Sequence, residues 1–118
     1  MIIRYFKESE FVCDGQNCFA KMDMALLESL DLAREVADTP FIITSSWRSE
    51  EKNKAIGGKP NSAHLKGKAV DISCKNSAKR MHIVDALLYA GFSRIGIAKD
   101  FIHADVDKSL PQDVMWIY

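Results

Sequence analysis

The chain is 118 residues long, 47% of them hydrophobic, and its 16 basic residues balance 16 acidic ones, giving a formal net charge of zero. A chain of this length buries one modest core without disulfides, so we predict a single domain spanning residues 1–118. Nucleic-acid binding depends on an excess of basic residues that attracts the phosphates. This chain has no net positive charge, so DNA and RNA are not expected partners.

The N-terminal segment, MIIRYFKESEF, mixes charged with apolar residues. It lacks the continuous apolar stretch that a signal peptide or a membrane helix requires. We therefore expect cytosolic synthesis, a soluble chain without a membrane partner, and a monomer.

The three cysteines, Cys13, Cys18 and Cys74, are an odd number, so at least one stays unpaired within the chain. This argues against the disulfide framework of a secreted protein. Cys13 and Cys18 flank a short Asp-Gly turn, where ordinary thiols, a disulfide and a shared metal are the alternatives. Ordinary thiols are favoured, because two sulfurs alone are an incomplete zinc set.

The first half of the chain predicts a helix and then a strand. Residues 21–38 carry apolar side chains near helical spacing, and Pro40 ends the helix because the residue before proline avoids the helical region. These apolar residues are Met24, Leu27, Leu30, Leu32 and Val36. The β-branched run 41–46 predicts a buried strand. Residues 49–58 indicate a short polar helix or a loop, and residues 59–67 indicate a loop.

A second strand is predicted over 67–73, where Val70 and Ile72 lie on one face and Asp71 on the other, by the two-residue period of a strand. A second helix is predicted over 77–91. It begins with a serine suited to capping and ends at a glycine. Its expected apolar positions are Met81, Val84, Leu87 and Leu88.

The C-terminal part predicts a hairpin. Two β-rich runs, residues 93–98 and 101–106, are separated by two residues only, and the second run carries His103 and Asp105 on one face. Residues 114–118, VMWIY, are either a last strand or part of a cleft wall.

Three side chains from different segments form a candidate metal site. His64 lies in the predicted loop, Asp71 on the polar face of its strand, and His103 on the hairpin. Imidazole and carboxylate are usual zinc ligands, and a catalytic zinc site needs three protein ligands and one open position. The three converge if the strands carrying Asp71 and His103 pair.

Residues 62–71, SAHLKGKAVD, match the SxHxxGxAxD signature of the zinc D-Ala-D-Ala carboxypeptidases and L-alanyl-D-glutamate endopeptidases. The chain also resembles the short, often phage-encoded members of this family in ESEFVCDG, TSSWRSEEKNKAIGG, GGKPNSAH and IHADV. The resemblance covers nearly the whole chain. It implies an α+β fold of the hedgehog and D-Ala-D-Ala peptidase type, a small antiparallel sheet flanked by helices.

The resemblance also implies roles for individual residues. His64, Asp71 and His103 correspond to the ligands of one zinc ion. Arg48, which follows the first strand, corresponds to an arginine that contacts substrate and supports the developing oxyanion. Ser62 corresponds to the signature serine, which hydrogen-bonds near the substrate or the ligands.

Two carboxylates are candidates for the catalytic base. Many members place an acid three positions before the last ligand, which here is Asp100, and we prefer it as the base. Phe101 occupies the position where some relatives have a histidine, so a histidine acid or base is excluded there. Asp105 is the competing carboxylate, either as base or as the partner of an imidazole.

The function implied is zinc-dependent hydrolysis of peptide bonds in peptidoglycan stem peptides, as a carboxypeptidase or an endopeptidase. The alternatives are a non-catalytic zinc-containing cell-wall module and a thiol protein using Cys13 and Cys18. Since no signal segment is recognised, the wall is expected to be reached by another route, such as release by a phage.

Overall fold

The computed structural model describes residues 3–118, which form a five-stranded sheet, a small hairpin and three helices. The helices are α1 (Met24–Ala37), α2 (Glu50–Ala55) and α3 (Ser77–Tyr89). The strands are β1 (Val12–Cys13), β2 (Gln16–Asn17), β3 (Ile43–Ser45), β4 (Ala69–Ser73), β5 (Arg94–Ile97), β6 (Phe101–Asp105) and β7 (Val114–Ile117). The α+β class is confirmed.

The two long helices begin at side-chain caps. Asp23 accepts a hydrogen bond from the backbone N–H of Leu26 and begins α1. Asn76, rather than the predicted Ser77, caps α3 by accepting from the N–H groups of the two residues after Ser77. Such caps satisfy backbone donors that have no partner inside the helix.

The predicted apolar face of α3 is partly wrong. Met81 and Leu88 are 73% and 53% exposed, and the buried side chains of the helix are Ile83, Ala86 and Leu87. Met81 and Leu88 are seven positions apart and share one face of the helix, which is turned away from the face that carries the buried side chains.

The main sheet has the strand order β3-β4-β6-β5-β7. The predicted hairpin is confirmed, since β5 and β6 pair antiparallel, and β4 pairs antiparallel with β6 so that Asp71 lies opposite His103. The last segment is a strand, but β7 runs parallel to β5 and makes the sheet mixed. β3 is an edge strand rather than a buried one, with Thr44 exposed.

The two faces of the sheet have different roles. Val70, Ile72 and Ile102 lie on one face and join the apolar core with α1 and α3. Residues one position away lie on the other face, because side chains alternate along a strand. Asp71 and His103 are therefore turned away from the core, as the pattern of β4 predicts.

Within residues 3–118, no helix is both long and apolar enough to cross a bilayer.

Candidate metal centre and cleft

The polar face of the sheet brings His64, Asp71 and His103 together. Their candidate ligand atoms all lie within 4.8 Å of one another. The Oδ1 atom of Asp71 is 3.3 Å from Nε2 of His64 and 3.1 Å from Nδ1 of His103. All three residues are buried. The pairing of β4 with β6 supplies two of them, and the loop before β4 supplies the third.

A tight turn presents His64. Residues Ala63–Lys66 form one 3-10 turn, and the hydroxyl of Ser62 accepts a hydrogen bond from the N–H of His64 at 3.2 Å. The turn ends at Gly67, whose φ is +69°, a value that favours glycine. A Cβ on Gly67 would lie 1.9 Å from the carbonyl oxygen of Lys21, so the chain after the turn packs closely against the start of α1.

The tautomer of His64 is set by a backbone carbonyl. Its Nδ1 lies 2.7 Å from the oxygen of Ser46, and a carbonyl only accepts, so Nδ1 carries the proton. Nε2 then holds a lone pair, and it is buried without a hydrogen-bond partner. In the neutral ring this lone pair faces the Asp71 carboxylate 3.3 Å away. A cation bound between the nitrogen and the carboxylate would remove the repulsion between their lone pairs.

The tautomer of His103 is set by Asp105. The ring Nε2 lies 2.7 Å from Oδ2 of Asp105, and the other oxygen, Oδ1, accepts from Nε of Arg94 at 2.8 Å. The backbone N–H of Asp107 also donates to Oδ1 at 3.1 Å. Because the contact with Asp105 is the shorter one, Nε2 donates to it, and Nδ1 is the nitrogen that faces Oδ1 of Asp71 at 3.1 Å.

The charged forms of Asp71 and His103 stabilise each other. Burial acts to raise the pKa of the Asp71 carboxyl, but protons shared with the facing ring nitrogens of His103 and His64 outweigh it and hold that pKa well below its usual range. A bound metal ion takes the place of those protons. Burial acts to lower the pKa of His103, but hydrogen bonds to Asp105 and Asp71 outweigh it, so the pKa is raised. Asp71 is therefore ionised, as a metal ligand must be.

The donor set fits a metal ion. Two imidazole nitrogens and one carboxylate oxygen converge, and each imidazole has its second nitrogen held by an oxygen acceptor, as is usual for histidine ligands. Three protein ligands are the number found in catalytic zinc sites.

The cluster lies at the floor of a cleft of about 580 Å³, called here the main cleft. One wall is aromatic, with Phe101, Trp116 and Tyr118, and Trp116 lies against the ring of His103 with centroids 5.4 Å apart. The lining also includes Ser62 and Lys59. The terminal segment 114–118 is thus both a strand and a cleft wall.

Arg48 lies beside the ligands. Its guanidinium donates from Nη2 to Oδ2 of Asp71 at 3.3 Å, from Nη1 to Oδ1 of Asn53 at 3.3 Å and from Nε to Oγ of Ser45 at 3.2 Å. Asn53, which is buried, also donates to the carbonyl of Lys59 at 2.8 Å. These contacts hold a positive charge next to the cluster and toward the cleft.

Asp100 is not brought to the site. It lies exposed in the turn between β5 and β6 and lines neither of the two clefts described here. The spacing explains the result, because an odd separation of three residues places two side chains on opposite faces of a strand. The geometry therefore gives no support to Asp100 as the base, and it gives Asp105 the second of its two proposed roles, as partner of an imidazole.

Several contributing residues were not found from the sequence. Arg94 lies opposite Asp105 in the β5–β6 register, and only that register reveals the pair. Ser46 acts through its carbonyl oxygen, which any residue type carries. The buried Asn53 lies in a segment read only as a short polar helix or loop.

The cysteines form no disulfide. Cys18 is buried, with Sγ 3.2 Å from Oγ of Ser46, and Cys13 is partly exposed. Burial, followed by the neighbouring Cys18 thiol, raises the pKa of Cys13 to about 11. A thiol with such a pKa is a poor nucleophile at neutral pH, which argues against the thiol-protein alternative. Neither cysteine belongs to the metal-ligand cluster found within residues 3–118.

The fold and the site together define a small α+β protein with a candidate mononuclear metal centre at the floor of a cleft. Residues 4–105 match the family model described as Peptidase M15. The chain therefore belongs to the peptidase M15 family, whose members are zinc-dependent, and the family resemblance is confirmed. No curated protein matches the chain.

Proposed function

We propose that the chain is a zinc peptidase that hydrolyses peptide bonds in peptidoglycan stem peptides. The observation that carries the proposal is the buried, unpartnered Nε2 of His64, aimed at an ionised carboxylate and beside a second histidine. Such a group destabilises an ordinary protein core, because a buried acceptor without a partner costs about 1–3 kcal/mol of folding free energy. Metal binding removes that cost.

The residues that would hold zinc are His64 through Nε2, Asp71 through a carboxylate oxygen and His103 through Nδ1. When bound, zinc acts as a Lewis acid on the scissile carbonyl and lowers the pKa of water toward neutrality. Ser46 and Asp105 keep the two imidazoles in the tautomers that ligation requires. Arg94, by pairing with Asp105, fixes the orientation of that carboxylate.

Arg48 is the proposed substrate-binding and oxyanion-stabilising group. Its guanidinium borders the cluster at 3.3 Å from Asp71, so a carbonyl oxygen placed at the ligands lies within reach of the same cation. Ser62 is proposed to act mainly through the His64 turn, because its hydroxyl accepts the His64 N–H.

Neither carboxylate proposed as the base is free to receive a proton from the cleft. Both oxygens of Asp105 are engaged, by His103 on one side and by Arg94 and the Asp107 N–H on the other. Asp100 lies outside the cleft. We therefore assign Asp105 a positioning role and assign Asp100 no catalytic role.

The stem-peptide assignment rests on the signature in residues 62–71 and on the chemistry of the main cleft. Stem peptides carry free carboxylates, and the cleft presents Arg48 and Lys59 as cations. Lys59 makes no ion pair with any residue in 3–118. Its charge is therefore available to an acidic substrate.

The experiment is mass spectrometry of purified peptidoglycan fragments incubated with zinc-loaded protein. Products that differ from the fragments by one hydrolysed peptide bond support the peptidase, and the masses identify that bond. Intact fragments alongside measurable binding to the wall would favour the non-catalytic zinc module. The His64→Ala variant is the control for contaminating hydrolases, because it lacks one ligand.

A further inference from the structure

A second cleft adjoins the metal centre. It has a volume of about 360 Å³ and lies between the β1–β2 hairpin, the outer side of β3 and the helix α2. The linings of the two clefts share Arg48, Asp71 and Phe101, whereas His64 and His103 line the main cleft only. Arg48 and Asp71 therefore lie at the boundary between the main cleft and the second cleft.

The second cleft is lined by the edge strand β3 and, further into the sheet, by Asp71 on β4 and Phe101 on β6. Within residues 3–118, β3 pairs with β4 alone, so its outer edge has no strand partner. Thr44 and Ser45 of this strand both line the cleft. An unpaired edge offers N–H and C=O groups at the spacing of an extended peptide, which binds by adding a strand to the sheet.

The β1–β2 hairpin and the end of α2 form the outer wall. Val12 on β1 and Ile56 after α2 are 50% and 51% exposed, which gives the cleft apolar sides. Asp14 at the hairpin tip lies 3.6 Å from the ammonium of Lys52, and both side chains are largely exposed. An exposed ion pair of this kind contributes little to stability, so this pair alone does not hold the hairpin against α2.

We propose that the second cleft binds an extended segment of the substrate peptide along the outer edge of β3, while the main cleft holds the segment on the other side of the scissile bond. The proposal rests on the proposed peptidase function and narrows it. The enzyme acts on internal peptide bonds, because residues on both sides of the cleaved bond contact the protein. The β1–β2 hairpin is then part of the substrate site.

The first test needs no catalysis. A cross-linked dimer of two stem peptides is titrated into 15N-labelled protein whose metal has been removed with a chelator. Amide shifts are expected for Thr44, Ser45 and Lys52 as well as for Trp116 in the main cleft. Shifts confined to the main cleft, or no shifts at all, would overturn the two-sided site, whatever the protein hydrolyses.

The second test uses a variant that fills the new cleft. Val12→Trp in the zinc-loaded protein is expected to lower kcat/KM about tenfold or more for the cross-linked dimer, and to change it less than twofold for a substrate truncated so that it leaves the second cleft empty. Val36→Trp is the matched control, since Val36 is 41% exposed on α1 and lines neither cleft. Equal effects of Val12→Trp on the two substrates would contradict the proposal.

Discussion

The Nε2 atom of His103 lies 2.7 Å from Oδ2 of Asp105, and this contact decides which nitrogen of the ring faces Asp71. A histidine bound to metal through Nδ1 needs its Nε2–H held by an acceptor. Asp105 provides that acceptor, and Arg94 holds Asp105 in turn at 2.8 Å. We therefore infer that Asp105 orients the His103 ring and does not serve as the catalytic base.

Asp105→Asn is expected to weaken zinc binding by about tenfold or more, the usual effect of losing an outer partner of a metal ligand. The variant keeps the shape of the side chain and removes its charge. Competition with a chromogenic chelator measures the zinc affinity. Asp100→Asn is the matched control and is expected to retain both zinc affinity and hydrolysis. Loss of hydrolysis with full zinc content in Asp100→Asn would restore Asp100 as the base.

Gly96→Ala is expected to disturb the aromatic wall of the main cleft. A Cβ at this position would lie 2.6 Å from Nε1 of Trp116 and 2.7 Å from a ring carbon of Tyr118, so both rings must move. Forced shifts of this size cost about 1–3 kcal/mol. We expect a higher KM for stem peptides and altered tryptophan fluorescence. Unchanged fluorescence and KM would show that the wall relaxes freely.

Gly67→Ala and Gly15→Ala separate backbone strain from close packing. Both glycines have positive φ, +69° and +77°, but only Gly67 approaches another backbone, with the Lys21 oxygen 1.9 Å from an added Cβ. Each variant carries the left-handed cost of about 1 kcal/mol. Gly67→Ala adds the clash and is expected to lose clearly more stability in urea denaturation. Equal losses would contradict the packing contact.

The pH dependence of stability has one identifiable contributor in the ion pair of Asp107 with Lys66, whose Oδ2 and Nζ are 2.9 Å apart. Burial acts to raise the pKa of Asp107, but the hydrogen bonds from Lys66 and Ser109 lower it to about 2 from the model-peptide value of 3.8. A lowered folded-state pKa stabilises the fold above the unfolded value, and this contribution disappears as pH falls from about 4 to 2.

The Asp107→Asn variant is expected to remove that contribution. Because Lys66 is 43% exposed, screening limits the effect to on the order of 1 kcal/mol at neutral pH. Urea unfolding at pH 7 and at pH 2 measures it. The difference between wild type and variant should shrink at pH 2. A constant difference across that range would show that Asp107 acts through packing or neutral hydrogen bonds.

The sequence predicted those parts of the fold that local patterns determine. Asp71 alternates with Val70 and Ile72, and that alternation alone placed its side chain opposite the core. The two-residue gap before residue 101 predicted the β5–β6 hairpin. The signature in residues 62–71 selected the metal ligands by resemblance, and the β4–β6 register then brought Asp71 opposite His103.

The parts that sequence reasoning missed depend on register and on neighbours. The family pattern alone selected Asp100, which lies exposed in the turn before β6 and not at the site. Met81 and Leu88 fit a helical stripe, yet the neighbouring face, with Ile83 and Leu87, is the one that packs into the core. The parallel pairing of β7 depends on the path of the chain after β6, which no short pattern encodes.

The measurement that tests the central claim most directly is the zinc content of purified wild-type protein and of His103→Ala after equilibration with one equivalent of zinc. Wild type is expected to retain about one ion per chain at the three protein ligands of a catalytic zinc site. His103→Ala is expected to retain little zinc while giving an unchanged circular dichroism spectrum. Undiminished zinc in a folded His103→Ala protein would contradict the assignment of His64, Asp71 and His103 as the metal site.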